Sequence, residues 1–193
     1  MSWSNTFVEL DKARHDRASF TCGEPELDDY IRTKAAKHMA SFVSKTMLLP
    51  AADPLPNGKY PICTFYTVTP TSVEKESLPQ ALAKKLPHYP VPVFLIAQLA
   101  VNSQYCGQGL GKIALVHALE YLYGISRHMP AYAVLVDCLN ESVQAFYAQY
   151  GFEALCMHKG KVRMYLPMST AAQLFSPSAA PNIEEQEIGF VAR

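Results

Sequence analysis

Apolar positions recur along this chain with two different periods, and the places where one gives way to the other predict the order of its elements. In CGEPELDDYIRTKAAKHMASF a turn and Pro25 precede Leu27, Ile31, Ala35 and Met39, whose four-residue spacing predicts an amphipathic helix. FVSKTMLLPA and YPICTFYTVTPTSV are rich in β-branched and aromatic residues and flank the turn-forming ADPLPNGKY, so they predict a hairpin. LPQALAKKLPHYPVP predicts one short helix closed by prolines. VFLIAQLAVN is apolar on both strand faces except at Gln98, the pattern of a strand inside a sheet. The next segment carries Leu110, Ile113, Ala114, Ala118, Leu119 and Leu122 on one helical side. AYAVLVDCL reads as a second buried strand, and NESVQAFYAQYGF as a short helix with Asn140 as N-cap and Gly151 as its left-handed stop. FEALCMH and KVRMYLPM close the sheet through a Lys159-Gly160 turn.

These elements predict an α/β (α+β) layer architecture with about six or seven strands. One domain is expected over residues 1–175, and the Ser/Pro/Ala-rich, then acidic, segment 176–193 is expected to be a mobile tail. Seventeen basic and seventeen acidic side chains leave no net charge, so no global field draws the chain to nucleic acid or to an anionic membrane. Any such contact must come from a local patch. The five cysteines are scattered and never in CxxC spacing, which argues against a disulfide framework and against a metal site, and predicts reduced thiols in the cytoplasm. No apolar run approaches the length of a membrane span, and the N-terminal residues form no signal-peptide core.

The candidate chemistry starts at QYCGQGLGKIAL, residues 104–115, where three alternate glycines sit between a buried strand and a helix. A helix N-terminus presents unpaired N–H groups and a partial positive charge, and glycines remove the Cβ atoms that would hold an anion away. The stretch is either a tight strand-to-helix turn or a pyrophosphate cradle. The P-loop is excluded because Ile113 follows Lys112, and GxGxxG is excluded because the run is GxGxG.

Gln104-x-x-Gly107-x-Gly109 resembles the Q/R-x-x-G-x-G/A signature of the GNAT superfamily of acetyl-CoA-dependent N-acetyltransferases, and NESVQAFYAQYGF resembles its N-x-x-[AS]-x-x-F-Y-x-x-x-G-F segment. The resemblance implies the GNAT fold, a mostly antiparallel mixed sheet with a splayed central strand pair, over residues 43–168. It implies that the loop amides of Gly107, Gln108, Gly109, Leu110, Gly111 and Lys112, with Gln104, hold the pyrophosphate of coenzyme A. Leu99, Ala100 and Val101 would pair with the pantetheine arm, and Asn140 and Phe146 would face the cofactor. Tyr147 matches the tyrosine that protonates the leaving thiolate, and a phenol with a pKa of about 10 carries its proton at neutral pH. Packing of the helix against the sheet is the other reading of Tyr147. Asp137, Glu120 and Glu141 read as surface or cap residues, so no general base stands out. An α-amine, partly neutral at pH 7, is then an easier acceptor than an alkyl ammonium.

FTCGEPELDDYIRTKA, FYTVTPTSV and YPVPVFLIAQLAV further resemble the branch of GNAT toxins from bacterial toxin–antitoxin modules, over most of residues 7–168. That branch implies aminoacyl-tRNA as acceptor and a ribbon-helix-helix antitoxin as partner, with a homodimer left open. It usually has an arginine where this chain has Gln98. Arg32, Lys34 and Lys37, with Lys84 and Lys85, are the candidate tRNA contacts. A GNAT acting on a small amine or a protein N-terminus, and a non-catalytic acetyl-CoA-binding module, remain the alternatives.

Overall fold

The computed structural model describes residues 2–75, 78, 83, 84, 86 and 89–175. The chain opens with two short strands, β1 (Val8–Glu9) and β2 (His15–Asp16). A helical segment follows, made of α1 (Pro25–Asp29), a π-helical turn (Tyr30–Lys34) and α2 (Ala35–Ala40). Then come β3 (Lys45–Pro50), β4 (Tyr60–Val73) and β5 (Val91–Val101). Helix α3 (Leu110–Ser126), β6 (Ala133–Cys138), α4 (Glu141–Ala148), β7 (Glu153–His158), β8 (Lys161–Pro167) and α5 (Met168–Phe175) complete the order. No described helix is long and apolar enough to cross a membrane.

The strands form one eight-stranded sheet in the order β1-β3-β4-β5-β6-β8-β7, with β2 running parallel to β4 off that path. Along the path only β5 and β6 run parallel. The strand count exceeds the expected six or seven because β1 and β2 are two residues each, too short to show a period in the sequence. The β3–β4 hairpin and the turn at Lys159 and Gly160 stand where expected, with both turn residues at positive φ, as a two-residue hairpin requires.

Each face of the sheet is covered. The α1–α2 segment packs Phe20, Tyr30, Ile31 and Ala35 against Leu48, Ile62, Phe65 and Ala100. Its regular four-residue spacing would drift by about 40° per interval on a 3.6-residue helix. The π-helical turn absorbs that drift, so Ile31 and Ala35 are both fully buried. On the opposite face α3 buries Leu110, Ala114, Leu115, Ala118, Leu119 and Leu122 against Tyr66, Phe94, Ile96, Val134 and Val136. Ile113, expected on that side, is instead 41% exposed, and Leu115 takes the core position. Helix α5 was not signalled by the sequence pattern and caps the same core with Met168 and Ala171. The short helix expected in 78–92 falls largely, and the tail 176–193 entirely, outside the described residues.

Two histidines are packed into this framework. His15 is 4% exposed and its Nδ1 accepts the Asp11 amide at 3.0 Å, while His117 Nδ1 lies 2.8 Å from the Tyr66 hydroxyl under a stacked Phe7 ring. Burial holds both below the ordinary imidazole value, against an opposing pull from Asp11 on His15 and from Glu120 on His117. Below about pH 6.5 an unfolded imidazole takes up a proton that these folded rings refuse, so the unfolded state gains stability as pH falls. Urea unfolding should therefore show a plateau above about pH 7 and a decline from about pH 6.5 to 5.5, with a shallower decline in His117→Gln.

Candidate active site

The pairing of β5 with β6 is short. Three residues, Phe94, Leu95 and Ile96, face Val134, Leu135 and Val136, and there the ladder stops although β5 runs on to Val101. At the same place the register of β5 against β4 jumps from Ile96↔Val68 to Gln98↔Thr67, which leaves Ala97 as an extra, bulged residue. A bulge bends and twists its strand, and here it turns β5 away from β6. It also resets the side-chain alternation, so that Leu99 and Val101 join the same core as Phe94 and Ile96.

A cleft of about 650 Å³ opens between the parted strands, and Ala97 through Val101 form one wall. The Asn102 amide donates to the Cys63 carbonyl at 2.9 Å and the Thr64 hydroxyl donates to the Ala100 carbonyl at 2.8 Å. Residues 100 and 102 thus turn their backbone groups toward β4. By alternation Leu99 and Val101 turn theirs to the open side. The wall is a strand edge with unspent hydrogen-bonding capacity.

The glycine turn continues from that edge. Asn102, 4% exposed, fixes its start: its Oδ1 accepts from the Gln104 amide at 3.1 Å and its Nδ2 donates to the Ile62 carbonyl at 3.2 Å. Gln104, Gly107, Gln108 and Gly109 are exposed. Gly107 and Gly109 have φ of 75° and 80°, a left-handed backbone that side-chained residues adopt at a cost, and a Cβ on either would stand in open space. Gly111 is different. Its φ is ordinary, and a Cβ there would touch Phe146 and Val101 at 3.7–3.8 Å, so this glycine lets α3 approach α4 and β5. The first α3 bond runs from the Ile113 amide to the Gly109 carbonyl, and the amides of residues 107–112 have no acceptor among the described residues. They are available to an anion.

Tyr147 lies on the far side of the cleft, 6% exposed, with its ring against Phe146 and Phe152 at centroid distances of 5.1 and 5.3 Å. Its hydroxyl bonds to no other described residue, yet no buried polar side-chain atom among them lacks a partner, so the oxygen opens into the cleft. Burial pushes the phenol well above its ordinary value, and the neighbouring Cys138 adds to the shift. The Cys138 thiol, in the core beside Tyr147, is itself pushed up to about 11 by burial and then by the Asp137 charge. Asn140 caps α4 as expected, its Oδ1 accepting from the Val143 amide at 3.0 Å and from Ser142 at 2.9 Å.

Sequence reading missed the charges of this cleft. Asp137, expected at the surface, is clamped by Arg163 through two 2.7 Å bonds, Nε to Oδ1 and Nη2 to Oδ2. The two residues are cross-strand neighbours on β6 and β8, and both line the cleft. Their opposite charges at matched register become visible only once the strand pairing is known. Across the mouth Lys161 reaches Glu26 at 3.5 Å. Asp28 was missed as well. Burial pulls its pKa up, but bonds from the Cys22 amide, the Cys22 thiol and the Thr21 hydroxyl outweigh that pull and hold it below the ordinary range, fastening the turn before α1.

Of the candidate acceptor cations, two line one groove. Arg32 and Lys37 line a groove beside β1. Lys34 is paired with Asp29 at 2.6 Å, Lys84 stands on the connection between β4 and β5, and Lys85 lies outside the described residues.

Comparison with known proteins gives this geometry its context. The model of the acetyltransferase (GNAT) family matches residues 80–152. A tRNA-acetylating toxin of Mycobacterium tuberculosis is 31% identical over 138 residues, 72% of this chain and 78% of the relative. A probable toxin TacT of Sinorhizobium fredii is 29% identical over 173 residues, 86% and 92% of the two chains. Among solved structures, AtaT complexed with acetyl-methionyl-tRNAfMet superposes with a TM-score of 0.78 at 24% identity, covering 89% of this chain and 99% of that one. A mutant AtaT bound to the C-terminus of the antitoxin AtaR and acetyl-CoA gives 0.73 at 19% identity, covering 89% and 98%. Both share the fold seen here.

Removing one member of a mostly buried ion pair strands the other charge. Arg163→Gln is expected to lower the unfolding free energy by about 3 kcal/mol, and adding Asp137→Asn should restore most of that loss. Urea titration of the two variants and the parent measures both steps.

Proposed function

Because the chain belongs to the GNAT family of acetyl-CoA-dependent N-acetyltransferases, we propose that it acetylates the α-amino group of aminoacyl-tRNA and so blocks translation. The observation that carries this reading is the continuity of one cleft, from the exposed amides of the glycine turn along the open edge of β5 to the Tyr147 hydroxyl. The names of the relatives support the acceptor: a tRNA-acetylating toxin at 31% identity, and AtaT, a protein of the same fold, in complex with acetyl-methionyl-tRNAfMet.

The residues fit the cofactor at each point. The amides of residues 107–112 receive the diphosphate, with Gln104 beside them, and the outward backbone groups of Leu99 and Val101, on either side of Ala100, take the amides of the pantetheine arm. Phe146 covers the helix start, and Asn140 has its Nδ2 left over for the cofactor after capping α4. Acetyl-CoA supplies the activated thioester. The acceptor amine enters with its lone pair free, having lost its proton to water, and its nitrogen bonds to the acetyl carbon as the carbon–sulfur bond breaks. Tyr147 gives its phenolic proton to the departing sulfur, and the proton that the nitrogen sheds on becoming an amide returns through water to the phenolate. A raised phenol would be a poor donor to a thiolate in water. Burial that disfavours the phenolate also disfavours a thiolate beside it, so the departing sulfur draws the proton more strongly here than it would in water.

On this reading residues 1–175 form one catalytic domain working in the cytoplasm, neutralised by a ribbon-helix-helix antitoxin, as AtaT is found with the antitoxin AtaR. Acetyl transfer from labelled acetyl-CoA onto a pool of charged tRNAs, against small amines and peptide N-termini, tests the acceptor. Transfer to amines alone would overturn it.

Tyr147→Phe should lower kcat with charged tRNA about 10²–10³-fold while the acetyl-CoA Kd stays within about twofold. Gly109→Val places a β-branched residue at φ 80° and should weaken acetyl-CoA about tenfold, since about 1–2 kcal/mol of strain falls on the binding conformation. Calorimetry and steady-state kinetics separate the two effects.

A further inference from the structure

We propose that the groove between the β1–β2 segment and the α1–α2 helix is the docking surface for the phosphate backbone of the acceptor RNA. The proposal rests on the acceptor reading above and adds where the RNA binds. The groove has a volume of about 1000 Å³. Lys12, Arg14 and Arg17 stand on one wall, Arg32 and Lys37 on the other, over an apolar floor that includes Leu10 and Met39. Two carboxylates line it: Glu9 is paired with the Lys45 ammonium at 2.5 Å, and Asp11, which keeps its charge, accepts from the Ala13 amide at 2.8 Å. Lys12, Arg14 and Lys37 have no carboxylate within 4 Å among the described residues.

The arginines are held together rather than apart. Arg17 Nη1 donates to the Arg32 backbone carbonyl at 2.7 Å, and the two residues line a second, adjoining concavity with Lys59 and one acid, Asp16. Five cations line the groove against the carboxylates of Glu9 and Asp11, with Arg32 also 3.7 Å from Asp28, and the excess of like charge repels, a repulsion that a polyanion relieves. The whole chain is neutral, so this clustering is local. The α1–α2 segment walls both the groove, through Arg32 and Lys37, and the active cleft, through Glu26 and Leu27. From β1 to β5 is three strand spacings, about 15 Å, a span of a few nucleotides. The groove therefore supplies affinity for the backbone while the cleft receives the aminoacyl end.

The test is the salt dependence of binding. Uncharged tRNA is titrated with the full chain in KCl from about 50 to 200 mM, for the parent, for Lys12→Gln/Arg14→Gln/Lys37→Gln, and for Arg127→Gln on an unrelated surface. Thermal melting checks that each variant is folded. The triple variant is expected to flatten the slope of log K against log salt by about two to three, roughly one for each cation withdrawn from a phosphate, with Arg127→Gln matching the parent. Its kcat/KM with charged tRNA should fall at least about tenfold through KM. An unchanged slope, or an equal effect of Arg127→Gln, overturns the proposal, as does loss of binding to an acidic peptide with tRNA binding intact. If the parent does not acetylate charged tRNA, the acceptor reading fails, and the slopes still decide the groove.

Discussion

The parting of β5 from β6 is the constraint on which the rest of this molecule depends. A strand inside a sheet spends its backbone groups on two neighbours, and β5 does so for three residues only. Beyond Ile96 the bulge at Ala97 turns the strand away, and Leu99 and Val101 keep their outward groups unspent. An open edge in the middle of a sheet is costly and prone to pair with anything extended. It persists because the sheet is locked on both sides of the gap. Thr64 and Asn102 bind the departing stretch of β5 to β4, and the Arg163 clamp on Asp137 holds the end of β6 to β8. The cleft is thus a property of the backbone, and the side chains around it determine what the cleft can do.

Two kinds of electrostatics divide its length. At the glycine end the groups are peptide amides in solvent, with no net charge to desolvate and a helix dipole behind them, suited to an anion that arrives and leaves. At the other end the Tyr147 ring packs among aromatic neighbours, and the dominant effect on its hydroxyl is the penalty that burial sets on the ionised form. A phenol kept neutral there holds its proton until a negative charge develops beside it.

Much of this was legible in the residues, and the failures have a common physical cause. The α3 face, the β3–β4 hairpin and the cap and stop of α4 are local features, set by periods and turn chemistry within a dozen residues, and they stand where the pattern put them. The expected splayed pair is present, but its hinge at Ala97 is a register event between strands, and nothing in FLIAQLAV marks it. The same holds for Asp137 with Arg163 and for Asn102 with Ile62: each is a polar residue whose meaning lies in a partner distant in the sequence or across a strand. The π-helical turn was visible in principle. Four apolar residues at intervals of four are one residue-fraction too far apart for an α-helix, and a helix that buries all of them must unwind somewhere.

Charge distribution bears most directly on the acceptor. A neutral chain is a weak ligand for a polyanion only if its charges are evenly mixed, and here they are sorted by the fold. Asp28 is buried against the preceding turn, Asp29 is paired at the surface with Lys34, and Glu9 is spent on Lys45. What that pairing leaves behind on the β1 side of α1–α2 is cationic. On the cleft side it leaves Glu24 and Glu26 facing Lys161, a mixed rim that offers no general attraction to phosphate. One helical segment thus separates a surface suited to a nucleic-acid backbone from one suited to a single aminoacyl group. A small-amine acetyltransferase would need the cleft alone, and the sorted cations beside β1 would have no task in it.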